Sequence, residues 1–162
     1  MLNTKEVIVG NDIYTIECNG EMPISDALGC IYPPASQIRL RLVSPLNIIV
    51  PKRQVYRTLM HEIIHAIDKQ TYSTSKVKEV IQCEHEDIVF DDTEIAIDLL
   101  ANYVIDNLID FIDNRVDIEE FAMYCQTIEL KLVRIGLFFD LLMKTINQNQ
   151  DLMIEFLEVF TE

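Results

Sequence analysis

The sequence predicts an α+β domain: a small antiparallel N-terminal sheet followed by a mainly helical remainder. Three observations lead there. All five prolines and three of the four glycines lie within the first 51 of 162 residues, and only Gly136 follows. Both residue types are costly inside helices and useful in turns, so the helix-breaking chemistry is confined to the beginning. Short runs of β-branched and aromatic residues sit between those turn residues, whereas beyond Pro51 the apolar residues recur at helical spacing. No linker composition, internal repeat or low-complexity tract interrupts the chain. Residues 1–162 therefore read as one domain, with strands and loops over 1–50, a helical pair over 51–112 and a helical extension over 113–162.

Glu6-Val7-Ile8-Val9 and Ile13-Tyr14-Thr15-Ile16-Glu17-Cys18 flank Gly10-Asn11-Asp12, which predicts a hairpin. A second pair is expected from the run around Gly29-Cys30-Ile31-Tyr32 and the segment Gln37-Ile38-Arg39-Leu40-Arg41-Leu42, with the turn at Pro33-Pro34-Ala35-Ser36. The last segment alternates polar and apolar residues, as a strand with one wet face does, and its arginines suit a position near the sheet edge. Ser44 to Val50 reads as a loop, and Pro51 suits the first turn of a helix, where its missing N–H has no partner to lose.

That helix spans roughly 52–69, with Val55, Leu59, Ile63, Ala66 and Ile67 on its core face. Thr71 to Phe90 is mixed and polar, a loop with a turn or two of helix around Ser75 to Gln82. Asp91, Asp92 and Thr93 supply N-cap chemistry for a helix running through Glu94 to Ile112. Asp117 with Glu120 resembles a capping box and opens a helix reaching into the 140s, and Leu152 to Phe160 forms a last short helix.

Net charge and composition exclude several classes of function. The net charge of −14 argues against a nucleic-acid partner, since such binding depends on Lys and Arg neutralising phosphates. No window is long and apolar enough for a transmembrane span, and Met1-Leu2-Asn3-Thr4-Lys5-Glu6 lacks the pattern of a secretory signal. A cytoplasmic protein without a membrane partner is expected. Cys18, Cys30, Cys83 and Cys125 have no paired spacing and read as reduced thiols. Thirteen acidic residues against Arg115 alone between Glu84 and Glu120 suggest solvated helix faces, open to a protein partner there or on the C-terminal helices.

The chemistry lies in His61-Glu62-Ile63-Ile64-His65. Residues i and i+4 share one helix face, so both imidazoles can address one ion, and neutral imidazole suits Zn²⁺. Glu62, beside the first histidine, is placed as a general base for hydrolysis by metal-activated water. A catalytic zinc site needs a third protein ligand. A histidine six residues after His65 is absent, Thr71 standing there, which leaves His85 and Glu94 as candidates. Glu94 is favoured because Asp98, one turn on, could accept a hydrogen bond from the second ring nitrogen of a ligating histidine.

HEIIH followed by a Glu-x-x-x-Asp helix resembles the gluzincin branch of zinc metallopeptidases. The small leading sheet and the strand just before the motif are similar to the minimal zincins of phages and mobile elements, related to the ImmA/IrrE-like group, over roughly residues 28–112. The resemblance implies one zinc ion, His61, His65 and Glu94 as ligands, Glu62 as general base and Asp98 behind the ligands. It also implies an edge strand that receives an extended peptide or protein substrate, and Gln37, Ile38, Arg39 and Leu40 are expected in that role. The chain departs from better-known members in lacking a recognisable DNA-binding domain and in its last 45 or so residues. A zinc-dependent peptidase is the first expectation. A metal-stabilised interaction module without hydrolysis is the second, and a metal-free helical interaction protein the third.

Overall fold

The computed structural model describes residues 2–18, 27–32, 36–74, 81–82, 87–88 and 92–161. The architecture is α+β. Strands β1 (Glu6–Val9), β2 (Asp12–Cys18), β3 (Gly29–Tyr32) and β4 (Gln37–Leu40) form one sheet ahead of helix α1 (Lys52–Thr71). A two-stranded pair, β5 (Ile81–Gln82) and β6 (Asp87–Ile88), precedes α2 (Asp92–Asp106), α3 (Leu108–Ile112), α4 (Ile118–Thr127), α5 (Ile135–Gln148) and α6 (Gln150–Phe160).

The sheet is mixed rather than wholly antiparallel. Its order is β1-β2-β4-β3, with β2 and β4 parallel and the other two pairings antiparallel. Gly10 takes φ +62° in the β1–β2 turn, a conformation open to glycine at little cost. The consequence for β4 is direct. It lies between β2 and β3, so the expected edge strand is an interior one whose backbone groups are committed on both sides. Ile38 and Leu40 are buried in the core, which removes Gln37, Ile38, Arg39 and Leu40 as a peptide-docking strand. Alternation had correctly marked one buried face, and it carries no information about the two edges.

The outer strands are β1 and β3. The β1 edge is covered by side chains: the Ile8 N–H donates to Asn149 Oδ1 at 2.8 Å and the Asn149 amide donates back to the Ile8 carbonyl at 2.7 Å. At the β1–β2 turn, Gln70 Nε2 donates to the Val9 carbonyl at 2.6 Å. An amide side chain thus imitates the next strand, satisfying groups that would otherwise recruit one.

α1 presents Val55, Leu59, Ile63, Ala66 and Ile67 to a core shared with Val7, Val9, Tyr14, Ile16, Ile38 and Leu40 of the sheet. Ala96, Ile97, Leu100, Ala101 and Val104 commit one side of α2 to the same core. The helical extension closes over it through Phe121, Phe138 and Phe156, the last meeting Tyr56 edge-on at 5.3 Å. Glu155 ties the N-terminus down by accepting from the backbone N–H groups of Asn3 and Thr4, the Thr4 hydroxyl and the Tyr56 hydroxyl.

Two helices expected to be continuous are broken. Asn107 separates α2 from α3, and residues 128–134 separate α4 from α5, where Glu129 takes φ +60°. The predicted N-cap of α4 is present, Asp117 accepting from the Glu120 N–H at 2.8 Å. The helical turn expected over Ser75 to Gln82 falls mostly outside the described residues, and Ile81–Gln82 is strand.

Candidate metal centre

α1 and the first turn of α2 bring three side chains to one point. His61 and His65 stand one turn apart on α1, each held by buried neighbours, Met60 and Ile64 among them. Glu94 enters from α2 and straddles them, Oε2 lying 3.0 Å from His61 Nε2 and Oε1 2.9 Å from His65 Nε2. The two Nε2 atoms are 3.0 Å apart. All three residues can offer a ligand atom within 4.8 Å of one another, a group able to hold a metal ion. Tetrahedral Zn²⁺ with bonds of about 2.0–2.1 Å spaces its ligand atoms about 3.3 Å apart, so the donor triangle is slightly tighter than a filled site. Two imidazole nitrogens and one carboxylate oxygen are also the donor set of a zinc site that leaves a position open.

Asp98 stands behind the ligands. Its Oδ1 lies 3.3 Å from His61 Nδ1, an acceptor that favours a proton on that nitrogen. His85 lies outside the described residues. Tyr103 of α2 stacks on Tyr124 with ring centroids 3.9 Å apart.

The electrostatics separate the two glutamates. Glu62 is only 6% exposed. Burial pushes its pKa up, against the opposing pull of His65 and His61, and the Glu94 charge adds to the rise. Glu94 is also penalised by burial, but its hydrogen bonds to His61 and His65 and their charges hold it well below the usual carboxylate range. Burial disfavours the His61 imidazolium, yet Glu94, Glu62 and Asp98 outweigh it and raise its pKa. The two carboxylates thus have opposite environments, burial raising the pKa of Glu62 and the histidine partners lowering that of Glu94.

β3 borders this site, a role that the sequence reading assigned to β4. A Cβ built on Gly29 would stand 2.4 Å from Thr58 Cγ2, so glycine lets β3 press against α1 one turn before the motif. Burial raises the Cys30 pKa, and the Glu62 charge raises it further, an effect that requires proximity. The Arg41 N–H bonds to the Leu28 carbonyl at 2.8 Å. In an antiparallel pair this makes Cys30 with Arg39 the next bonded couple, and turns the backbone groups of Gly29 and Ile31 away from β4. Among the described residues, β3 has a strand partner on one side only. The signal for this in the sequence was Gly29, a residue without a side chain inside a strand pattern.

No protein-family model, curated protein or solved structure matches this chain.

Proposed function

We propose that the chain is a zinc-dependent peptidase of the gluzincin type, with a Glu general base. The observation that carries this reading is the convergence of His61, His65 and Glu94 beside the buried Glu62. A zinc ion held by the three side chains supplies Lewis acidity, polarising a carbonyl and acidifying water near neutral pH. Glu62 takes a proton from the attacking water as its oxygen bonds to the scissile carbonyl carbon. It then delivers that proton to the departing amine as the C–N bond breaks. A purely structural metal site has no use for such a base.

The substrate is an extended peptide. Its backbone adds to the outer edge of β3, exchanging hydrogen bonds with Gly29 and Ile31, and its carbonyl lies above the α1 ligands. Supporting this placement is the close approach of Gly29 to Thr58, one turn before His61 on α1. The opposite edge, β1, is occupied at Ile8 by Asn149.

The deciding experiment pairs zinc analysis with cleavage of an unstructured peptide mixture. Glu62→Gln should retain one zinc per chain and lose cleavage by about 10²–10⁴-fold, the range of a removed general base. A zinc-loaded protein whose wild-type and Glu62→Gln forms both leave peptides intact would instead support the non-catalytic interaction module.

A further inference from the structure

The outer side of α2 and the adjoining side of α4 combine two features that the peptidase reading does not use. Ile95, Leu99 and Tyr103 succeed one another at i, i+4 and i+8 and form a row along α2. Beside it runs a second row, Asp98, Asn102 and Asp106. Ile95 is 58% exposed and Leu99 41%. On α4, Tyr124 lies flat on Tyr103, and its hydroxyl donates to the Leu99 carbonyl at 3.1 Å. Glu120 precedes Tyr124 by one turn, and Met123, between them in sequence, is 68% exposed. Large apolar side chains and carboxylates thus share one surface, with a stacked tyrosine pair joining the two helices.

The fold alone does not account for this surface. A solvated acidic face is polar throughout, whereas this one carries Ile95, Leu99 and Met123 among its charges. Glu119 and Glu120 suit the first turn of α4, where the helix dipole favours them. Asp106 is different. It ends α2, where the dipole disfavours a carboxylate and the last turn holds no basic residue. From Asp92 to Glu120 the sequence has one basic residue, Arg115, and Asp110 and Asp113 engage it at 3.0 and 3.1 Å. Among the described residues, Asp106, Glu119 and Glu120 form no ion pair. Their charge is uncompensated within the chain.

We propose that the α2–α4 face is a docking site for a basic amphipathic helix of a partner protein. The partner's apolar residues, spaced at i, i+3, i+4 and i+7, lie on Ile95, Leu99, the tyrosine pair and Met123, and its lysines and arginines meet Asp106, Glu119 and Glu120. Tyrosine suits the centre of such an interface, because its ring offers a rigid contact area at little cost in entropy. Charge selects this occupant. A second copy laid on the same face would set Asp106 and Glu120 near their own counterparts, in a chain of net charge −14. An anionic bilayer is repelled by the same carboxylates, and no helix is long and apolar enough to cross a membrane. The face adjoins the metal centre through Asp98, which reaches His61, but docking requires no hydrolysis and stands apart from the peptidase reading.

The probe is a fluorescein-labelled peptide of about 14 residues, leucine and lysine only, with the leucines on one helical face. Its anisotropy should rise as the full chain is added, and a peptide of the same composition with its leucines scattered should bind about tenfold more weakly. Asp106→Lys/Glu120→Lys should weaken the amphipathic peptide about tenfold. Asp151→Lys/Glu158→Lys makes the same change of net charge at exposed positions of α6 and should leave binding unaltered. Ile95→Ser/Met123→Ser, at the two most exposed apolar positions of the face, should also weaken it about tenfold, with circular dichroism unchanged. Equal binding of the two peptides, or equal weakening by the two charge reversals, would overturn the proposal, because either result reduces the attraction to net charge. Undiminished binding by Ile95→Ser/Met123→Ser would overturn it as well. So would a wild-type dimer in light scattering that the same variant abolishes, which would assign the face to a second copy of the chain.

Discussion

His61 Nδ1 and Asp98 Oδ1 lie 3.3 Å apart, with His61 Nε2 on the opposite side of the ring 3.0 Å from Glu94. One imidazole thereby stands between two carboxylates, one on each ring nitrogen. Asp98 is 60% exposed, so its contribution is orientation more than raw charge, and replacing it should be mild for folding. Asp98→Asn should weaken zinc affinity about 10–100-fold, measured by competition with a chromophoric chelator. Unaltered affinity would show that the ring is held by packing alone.

Metal removal should expose how much of the fold depends on the site. Zinc at 1,000 times its dissociation constant would stabilise the folded chain by about 4 kcal/mol, or roughly 8–16 °C in a domain of this size. A chelator should lower the melting temperature of the wild type by that order and leave His65→Ala unmoved. Equal melting of both proteins with and without chelator would argue against bound metal.

Glu155 should make the protein sensitive to acid at a place far from the metal. Burial opposes its charge, but donors from Thr4, Asn3 and Tyr56 outweigh that and depress its pKa. A carboxylate depressed in the folded state contributes stability above its unfolded value, about 4.3, and loses it as pH falls through the lower folded value. In urea titrations, Glu155→Gln should cost about 1–3 kcal/mol at pH 7 and far less near pH 3. An equal cost at both pH values would remove the charged carboxylate as the cause.

Gly29 and Thr58 offer a test of how closely β3 presses on α1. Thr58 Oγ1 is engaged with the Gln54 carbonyl at 2.8 Å, which keeps Cγ2 in the path of any Cβ at position 29. Gly29→Ala should destabilise by about 1–3 kcal/mol, and adding Thr58→Ser, which deletes Cγ2 and keeps the hydroxyl, should restore most of it. Additive costs would mean that the strand sits further from the helix.

The histidine site was largely legible because its geometry is local. His61, Glu62 and His65 share one helix, Glu94 and Asp98 share another, and the periodicity that places each face is visible in a single segment. What was not legible is non-local. The parallel pairing of β2 with β4 depends on a crossover that carries β3 to the outside, and nothing in Gln37-Ile38-Arg39-Leu40 records who its neighbours are. The breaks at Asn107 and near Glu129 interrupt apolar periodicity without proline or glycine, and at Asn107 the side-chain amide donates to the Tyr103 carbonyl at 2.9 Å. Glu155 meets Asn3 and Thr4 across some 150 positions of sequence. The exposed turn at Leu46 was read as a loop, since its apolar residues follow no period and exposure is not written in a sequence.

The amide of Asn149 on Ile8 has a further consequence for what the molecule can build. Edge-to-edge assembly of sheets into a fibre needs two receptive ends on every unit, as a bead needs two openings to be strung. Here one end is already filled by the chain itself, so a strand added at Gly29 and Ile31 finds no second molecule offering an open β1 to continue the row. Growth stops after one addition. Asn149→Ala would reopen that end, and static light scattering should then record assemblies larger than a pair, together with a loss of about 1–3 kcal/mol from the unsatisfied Ile8 groups. A side chain some 140 positions away from β1 in sequence thus acts as a chain terminator on one side of the four-stranded sheet, and among the described residues it leaves β3 as that sheet's other edge.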